Sequence, residues 1–231
     1  MLEVTTASTS EGLERSPVII WDATSGTRGE QLPLLQRMWT VKDMLTGPGH
    51  HVELGGGQYQ FRFFDGSEVD IALFREGFSH LSPEVIYQRF RRGGVSADLA
   101  LEFIKENIAT ILVLHEGIII GWAELARFHD HESKLVDPSK VVPALVIRSD
   151  YQGRKIGLYL ENLLLSFAQT LEGVEFYVVI VNGRVTTDET DARVAYHMAR
   201  KLNDRMGGGK PERLGGGELM YTIPLYAQRE P

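Results

Sequence analysis

The stretch Val146-Ile147-Arg148-Ser149-Asp150-Tyr151-Gln152-Gly153-Arg154-Lys155-Ile156-Gly157 joins two different patterns. An apolar run, Val142–Ile147, reads as a buried strand. A short polar loop follows, and then Leu158–Leu171 carries Leu160, Leu163, Leu164, Phe167, Ala168 and Leu171 at helical spacing. A strand that turns through a glycine-containing loop into a helix places the helix's unpaired amides and its partial positive charge at the loop. Such a place suits a phosphate or pyrophosphate, and Gly153 and Gly157 let the backbone come close to it.

Two common phosphate loops do not fit. A dinucleotide fingerprint needs three glycines as G-x-G-x-x-G, and only Gly153 and Gly157 are present, four residues apart. A Walker A loop needs Lys and Ser or Thr after its last glycine, whereas Leu158 and Tyr159 follow Gly157.

Outward from this loop the patterns alternate. Tyr59–Phe64, Ala109–Leu114, Ile118–Phe128, Phe176–Val181 and Glu218–Leu225 read as strands, with a tight turn at Glu116-Gly117. Ser67–Phe78, the helix capped by Ser82 and Pro83, Ser96–Asn107 and Thr190–Met206 read as helices. Upstream, Val18–Trp21 reads as a short strand and Leu32–Leu45 as a helix ended by Gly47-Pro48-Gly49. Gly55-Gly56-Gly57 is either a hinge after an N-terminal segment or the turn of a hairpin. The expected division is an N-terminal extension or accessory segment, residues 1–57, and one main domain, residues 58–231. The expected architecture is α/β, with helices packed on a mixed sheet.

Composition narrows the function. The 231 residues carry no cysteine, which excludes disulfides, thiolate metal sites and a cysteine nucleophile. The net charge of −7 argues against nucleic acid as a partner, and the cluster Arg89, Arg91, Arg92 reads as a solvated helix end. The most apolar stretch, Ile108–Ala126, is interrupted by His115, Glu116 and Gly117, so no membrane span is expected. The first residues lack a basic start and an apolar run, so a cytoplasmic location is expected. Self-association as a homo-oligomer is compatible with all of this.

Gln152-Gly153-Arg154-Lys155-Ile156-Gly157 resembles the signature of the GNAT superfamily of acyl-CoA-dependent N-acyltransferases: Gln or Arg, two residues, Gly, one residue, Gly or Ala. Lys155 stands where the first signature glycine is usual. Leu81-Ser82-Pro83-Glu84-Val85-Ile86-Tyr87-Gln88-Arg89-Phe90 is similar to a Leu-Ser-Pro-Glu phrase of bacterial GNAT domains related to protein-lysine acetyltransferases. The resemblance spans about Tyr59 to Leu225. It implies a mostly antiparallel sheet that splays between the strand ending at Ile147 and the one ending at Val181. It also implies that acetyl-CoA, as acyl donor, sits in that notch with no metal cofactor. Its contacts would come from Val146, Ile147, Arg148, Gln152, Gly153, Arg154, Lys155, Ile156, Gly157, Leu158 and Asn182. A primary amine, such as a protein lysine, would attack the thioester directly.

The amine must lose a proton, so a general base is expected. Members of the family often carry Glu at the start of the cofactor strand, where this chain has Val142. Glu124, alone among Trp122, Ala123, Leu125 and Ala126, is the expected replacement, because burial would raise its basicity. The alternative is a structural ion pair, with Arg127 or Arg62 as partner. Tyr196, in the helix after the splayed strand, is the expected acid for the departing thiolate, with Tyr159 as its rival. His129, Asp130, His131 and Glu132 form a cluster open to two readings, a substrate-amine contact or a solvated loop, with a metal site weighed and set aside. An acyl-CoA sensor without catalysis is the alternative function. A nucleotide bound through the same loop is a third.

Overall fold

The computed structural model describes residues 41–130, 133–182 and 190–226. The expected elements at Val18–Trp21 and over residues 32–40 lie outside these residues. Eight strands form one sheet in the order β1-β2-β3-β4-β5-β6-β8-β7. They are β1 (His50–Leu54), β2 (Gly57–Phe63), β3 (Ala109–His115), β4 (Ile118–His129), β5 (Val136–Ile147), β6 (Phe176–Asn182), β7 (Glu212–Arg213) and β8 (Glu218–Pro224). The helices are α1 (Val41–Leu45), α2 (Glu68–Ser79), α3 (Pro83–Phe90), α4 (Ala97–Glu106), α5 (Ile156–Ala168) and α6 (Thr190–Met206).

Local chemistry explains the helix starts. Ser67, Ser82 and Ser96 each accept from the backbone N–H three residues on, and Pro83 opens α3 where its missing N–H costs nothing. Two cores result. Phe74, Phe78, Leu101, Ile104 and Trp122 fill the face under α2–α4. Val41, Leu45, Phe61, Leu160, Leu164, Tyr177 and Ile223 fill the face under α1, α5 and α6.

Of the two readings of Gly55–Gly57, the hairpin is observed. β1 pairs antiparallel with β2, and Gly55 and Gly56 turn the chain at φ +55° and +81°. A Cβ on Gly55 would come within 3.1 Å of the Arg154 side chain, so the hairpin tip rests on the loop before α5.

β5 is six residues longer than its apolar run suggested. Pro138, Ser139 and Lys140 bulge out where the β4 partner register jumps from Val141 to Asp137. All pairings are antiparallel except β5 with β6, which is parallel and confined to Lys140↔Phe176 and Val141↔Tyr177. Beyond those two pairs the strands diverge, so the sheet is open between Val142–Ile147 and Val178–Asn182.

Candidate active site

The opening is lined on one side by β5. Arg148 donates its N–H to Ile120 O at 2.9 Å, on the β4 side. Strand alternation then turns the backbone groups of Val146 and Ala144 toward β4 as well, and those of Leu145 and Ile147 into the opening. Of the expected contact residues in the strand, Ile147 thus has its backbone groups on the open edge, whereas the N–H groups of Val146 and Arg148 face β4. Pro143 shares the open edge, where its missing N–H leaves one donor fewer to satisfy. The Ile147 carbonyl accepts from Gln152 Nε2 at 3.2 Å, which folds the loop back on the strand end.

The loop itself is tightly built. Ser149–Tyr151 form one 3-10 turn. The Tyr151 ring lies between two guanidiniums, Arg148 at 4.6 Å and Arg154 at 4.7 Å, and packs against Tyr59 and His115. Arg148 forks onto Asp150 at 2.7 and 2.8 Å and holds that carboxyl below its ordinary range. Lys155 is the N-cap of α5 at φ +66°, the left-handed conformation for which a glycine is suited. It therefore keeps the turn that the signature glycine would make.

No side chain caps α5. Tyr159 N–H is the first to bond back into the helix, to Lys155 O, so the amides of Ile156, Gly157 and Leu158 have no intrahelical partner. A Cβ on Gly157 or Gly153 would meet nothing within 4 Å, and the first turn holds no acid. Open amides, room for a ligand and neighbouring cations fit a pyrophosphate.

Glu124 is 1% exposed and has no acceptor capacity left. It takes Arg89 Nε at 3.1 Å, Arg89 Nη2 at 2.6 Å, Trp122 Nε1 at 2.7 Å and Asn107 Nδ2 at 2.7 Å. A base must have a lone pair to offer, and this carboxylate is spent on four donors. The geometry favours the structural ion pair over catalysis. The partner is Arg89, because Arg62 is forked onto Asp70 and Arg127 donates to Pro138 O. Arg89 is thus no solvated helix end. Of its neighbours, Arg91 reaches Glu218 at 3.6 Å and Arg92 lies over Phe103.

Tyr196 is half-buried against the core under α5 and α6, with its hydroxyl beside Tyr221. Burial first and Tyr196 second push the Tyr221 hydroxyl up. Tyr159 is no rival. It packs on Phe61 at 4.8 Å and stacks with His50, toward β1 and β2, and burial raises its hydroxyl to about 12. Asn182 ends β6 opposite Glu218, and its side chain lies outside the described residues, as do His131 and Glu132. Asp130 accepts from Ser133 N–H and Oγ–H, closing the turn after β4.

Sequence reasoning missed Glu161. It sits in α5 among polar positions, yet burial raises its carboxyl to about 7, with the Tyr177 hydroxyl as a smaller opposing influence. The polar stripe of α5 is more covered than the pattern suggested: Glu161 is half-buried and Ser166 buried. An open cleft of about 580 Å³ lies beside the loop, between His80, Leu81 and Ser82 on one side and Arg148, Ser149 and Asp150 on the other. It brings the Leu81–Phe90 phrase next to the strand end.

No protein-family model matches the chain, and no curated protein matches it. Solved structures do. The GNAT domain of S. lividans PAT is 14% identical, with 75% of this chain covering 95% of that one at a TM-score of 0.55. An N-acetyltransferase from Staphylococcus aureus Mu50 is 10% identical over 72% of this chain and 98% of that one, TM-score 0.47. A Salmonella typhimurium protein solved with its cofactor acetyl-CoA is 15% identical over 74% and 95%, TM-score 0.46. With its mostly antiparallel sheet opened at one parallel pair and its likeness to the S. lividans domain, the chain has the GNAT fold.

Proposed function

We propose that the protein is an acyl-CoA-dependent N-acetyltransferase that moves an acetyl group from acetyl-CoA to a primary amine, such as a protein lysine side chain. The observation that carries this reading is the open β5 edge leading to three unpartnered amides at the start of α5. The pyrophosphate would lie on Gly153–Leu158, with Arg154 and Lys155 supplying positive charge. The pantetheine would pair with Leu145 and Ile147. The amine nitrogen bonds to the thioester carbonyl carbon, the C–S bond breaks, and one proton passes from the amine to the departing sulfur. Tyr196, on the α5 side of the sheet, is the proposed donor of that proton.

The acceptor would approach from the other face, past α3. The Arg91–Glu218 contact joins α3 to the start of β8, and on this reading the Leu81–Phe90 phrase and the Lys210–Leu214 stretch, which pairs with β8, both border that approach. On this reading residues 1–57 are an accessory segment and residues 58–231 the acetyltransferase domain, with α1 and β1 built onto its sheet. Among the described residues no helix is long and apolar enough to cross a membrane, and we place the protein in the cytoplasm.

A second reading, an acyl-CoA sensor without turnover, is favoured by one observation: Val142 holds no carboxylate and Glu124 is fully engaged. Two measurements decide. Acetyl-CoA at about 100 times its Kd should stabilise the fold by about 2.7 kcal/mol, roughly 5–10 °C in Tm. Gly157→Glu, which puts bulk and negative charge at the open amides, should abolish the shift while the protein stays folded. A preserved shift would move the pyrophosphate elsewhere. Release of free CoA thiol in the presence of amines identifies the enzyme; binding without release identifies the sensor.

A further inference from the structure

The run Gly55-Gly56-Gly57 holds one glycine more than the turn between β1 and β2 uses, and the turn alone does not call for glycine at Gly55. Leu54 pairs with Gly57, so Gly55 and Gly56 are the two turn residues. Both have positive φ, which Asn or Asp at the first place would also meet. The neighbours explain the rest. A Cβ on Gly55 would come 3.1 Å from Arg154 Cβ, 3.2 Å from its Cα and 3.3 Å from its carbonyl oxygen. A Cβ on Gly57 would come 2.6 Å from the Tyr59 hydroxyl oxygen. Gly57 thus clears the place where that hydroxyl lies, and Gly55 lets the tip close onto Arg154.

Arg154 is held from several sides. Its Nη1 donates to the Tyr59 hydroxyl at 3.4 Å and its Nη2 to Asp150 O at 3.1 Å, with the guanidinium 4.7 Å from the Tyr151 ring centre. Tyr59 is a firm anchor. It is 1% exposed and packs on His115 at 5.1 Å, whose Nδ1 lies 2.8 Å from Gln58 O in the same hairpin. Along the chain Arg154 stands between two left-handed residues, Gly153 at φ +75° and Lys155 at φ +66°. Such a conformation turns successive amides to one side, as an anion cradle requires. A cradle containing glycine loses much freedom when it is ordered. The hairpin tip touches the backbone as well as the side chain of its middle residue, so it opposes that freedom directly.

We propose that Gly55, Gly57 and Tyr59 are positioning residues for the diphosphate of the acyl donor: the β1–β2 tip fixes Arg154, and with it the cradle, before the donor arrives. This rests on the acyl-CoA reading of the loop. A cradle ordered in advance binds more tightly because the ligand does not have to order it. The test compares two donors with the same thioester, acetyl-CoA and S-acetylpantetheine, which lacks the diphosphate. Gly55→Ala pushes the tip off Arg154 and should raise KM for acetyl-CoA about tenfold, the equivalent of one backbone residue set free. Tyr59→Phe, which removes the anchoring hydroxyl, should raise it several-fold and keeps the test open if Gly55→Ala does not fold. In both variants kcat, and KM for S-acetylpantetheine, should stay as in the parent protein. An equal rise in KM for both donors would show a general structural role, and no rise for either would show no role; each result overturns the proposal. Arg154→Lys separates position from charge. It keeps the charge but cannot reach Tyr59 and Asp150 together, so KM for acetyl-CoA should rise as in Gly55→Ala. A parental KM in Arg154→Lys would assign the residue to charge alone and overturn its positioning. If the parent protein releases no thiol, the enzyme reading fails, and the same comparison is made on Kd for CoA against pantetheine. A parent protein that binds no CoA overturns the donor reading and this proposal with it.

Discussion

Glu124 and Lys155 show how much depends on single side chains. Glu124 is held by four donor groups from three residues, Arg89 of α3, Asn107 at the end of α4 and Trp122 of its own strand, and removing a buried charge from such a pair costs about 3–5 kcal/mol. Glu124→Gln should therefore lower Tm by roughly 6–20 °C. In the fraction that stays folded, kcat should fall by less than the 100-fold or so expected for loss of a general base. A large kcat loss with an unchanged Tm would restore Glu124 to the chemistry. The residue's isolation in an apolar strand was legible in the sequence, but its partner was not. Arg89 is 35 residues away on another element, and nothing local distinguishes it from Arg62 or Arg127. Lys155 makes the opposite kind of case. A left-handed, non-glycine residue costs roughly 1–2 kcal/mol, so Lys155→Gly should raise the Tm of the ligand-free protein by about 2–8 °C. A fall in Tm would mean that contacts of the lysine side chain outweigh the backbone strain.

At the scale of elements, strands and helices with clean periodicity stand where the residues placed them. β3, β4 and the α2–α4 helices match to within a residue or two because alternation and serine caps mark both their course and their starts. Three elements were obscured for physical reasons. His50–Leu54 has only two apolar side chains, so β1 was hidden behind the glycines that turn it into β2. Pro138 and Pro143 broke the apparent length of β5, yet one sits in a bulge and the other on an open edge, the places a sheet tolerates proline. β7 is two residues long and polar. It nevertheless orders the Lys210–Leu214 stretch, since Glu212 and Arg213 pair with Met220 and Leu219 and Leu214 N–H reaches Glu218 O. Replacing Lys210–Leu214 by a Gly-Ser linker should raise KM for amine acceptors several-fold and leave the acetyl-CoA melting shift unaltered. Equal KM values for every amine tested would remove this hairpin from recognition.

For the whole molecule, the half-buried Glu161 carboxyl contributes a pH dependence. Its value of about 7 in the folded state lies above the ordinary 4.5, so the folded protein binds the proton more tightly than the unfolded chain between those limits. Stability is then greatest below about pH 4.5 as far as this group is concerned and declines as pH rises through 7, at no more than about 1.4 kcal/mol per pH unit. Glu161→Gln should flatten the fall in Tm between pH 5 and 7.5; a slope identical to that of the parent protein would assign it to other groups. The overall fold was readable from the order of elements because each pattern agreed with its neighbours. The narrowness of the contact between β5 and β6 was not, since no residue type announces where two parallel strands part. That contact has a mechanical consequence. The sheet is two plates, β1–β5 and β6–β8, welded over only two residue pairs at Lys140–Val141 and Phe176–Tyr177. Any torque between the plates is concentrated on this weld, and Val141 and Tyr177, both fully buried, are its pivot. A small rotation there is magnified along the roughly 20 Å from Val141 to Ile147, so the width of the notch is governed from its closed end.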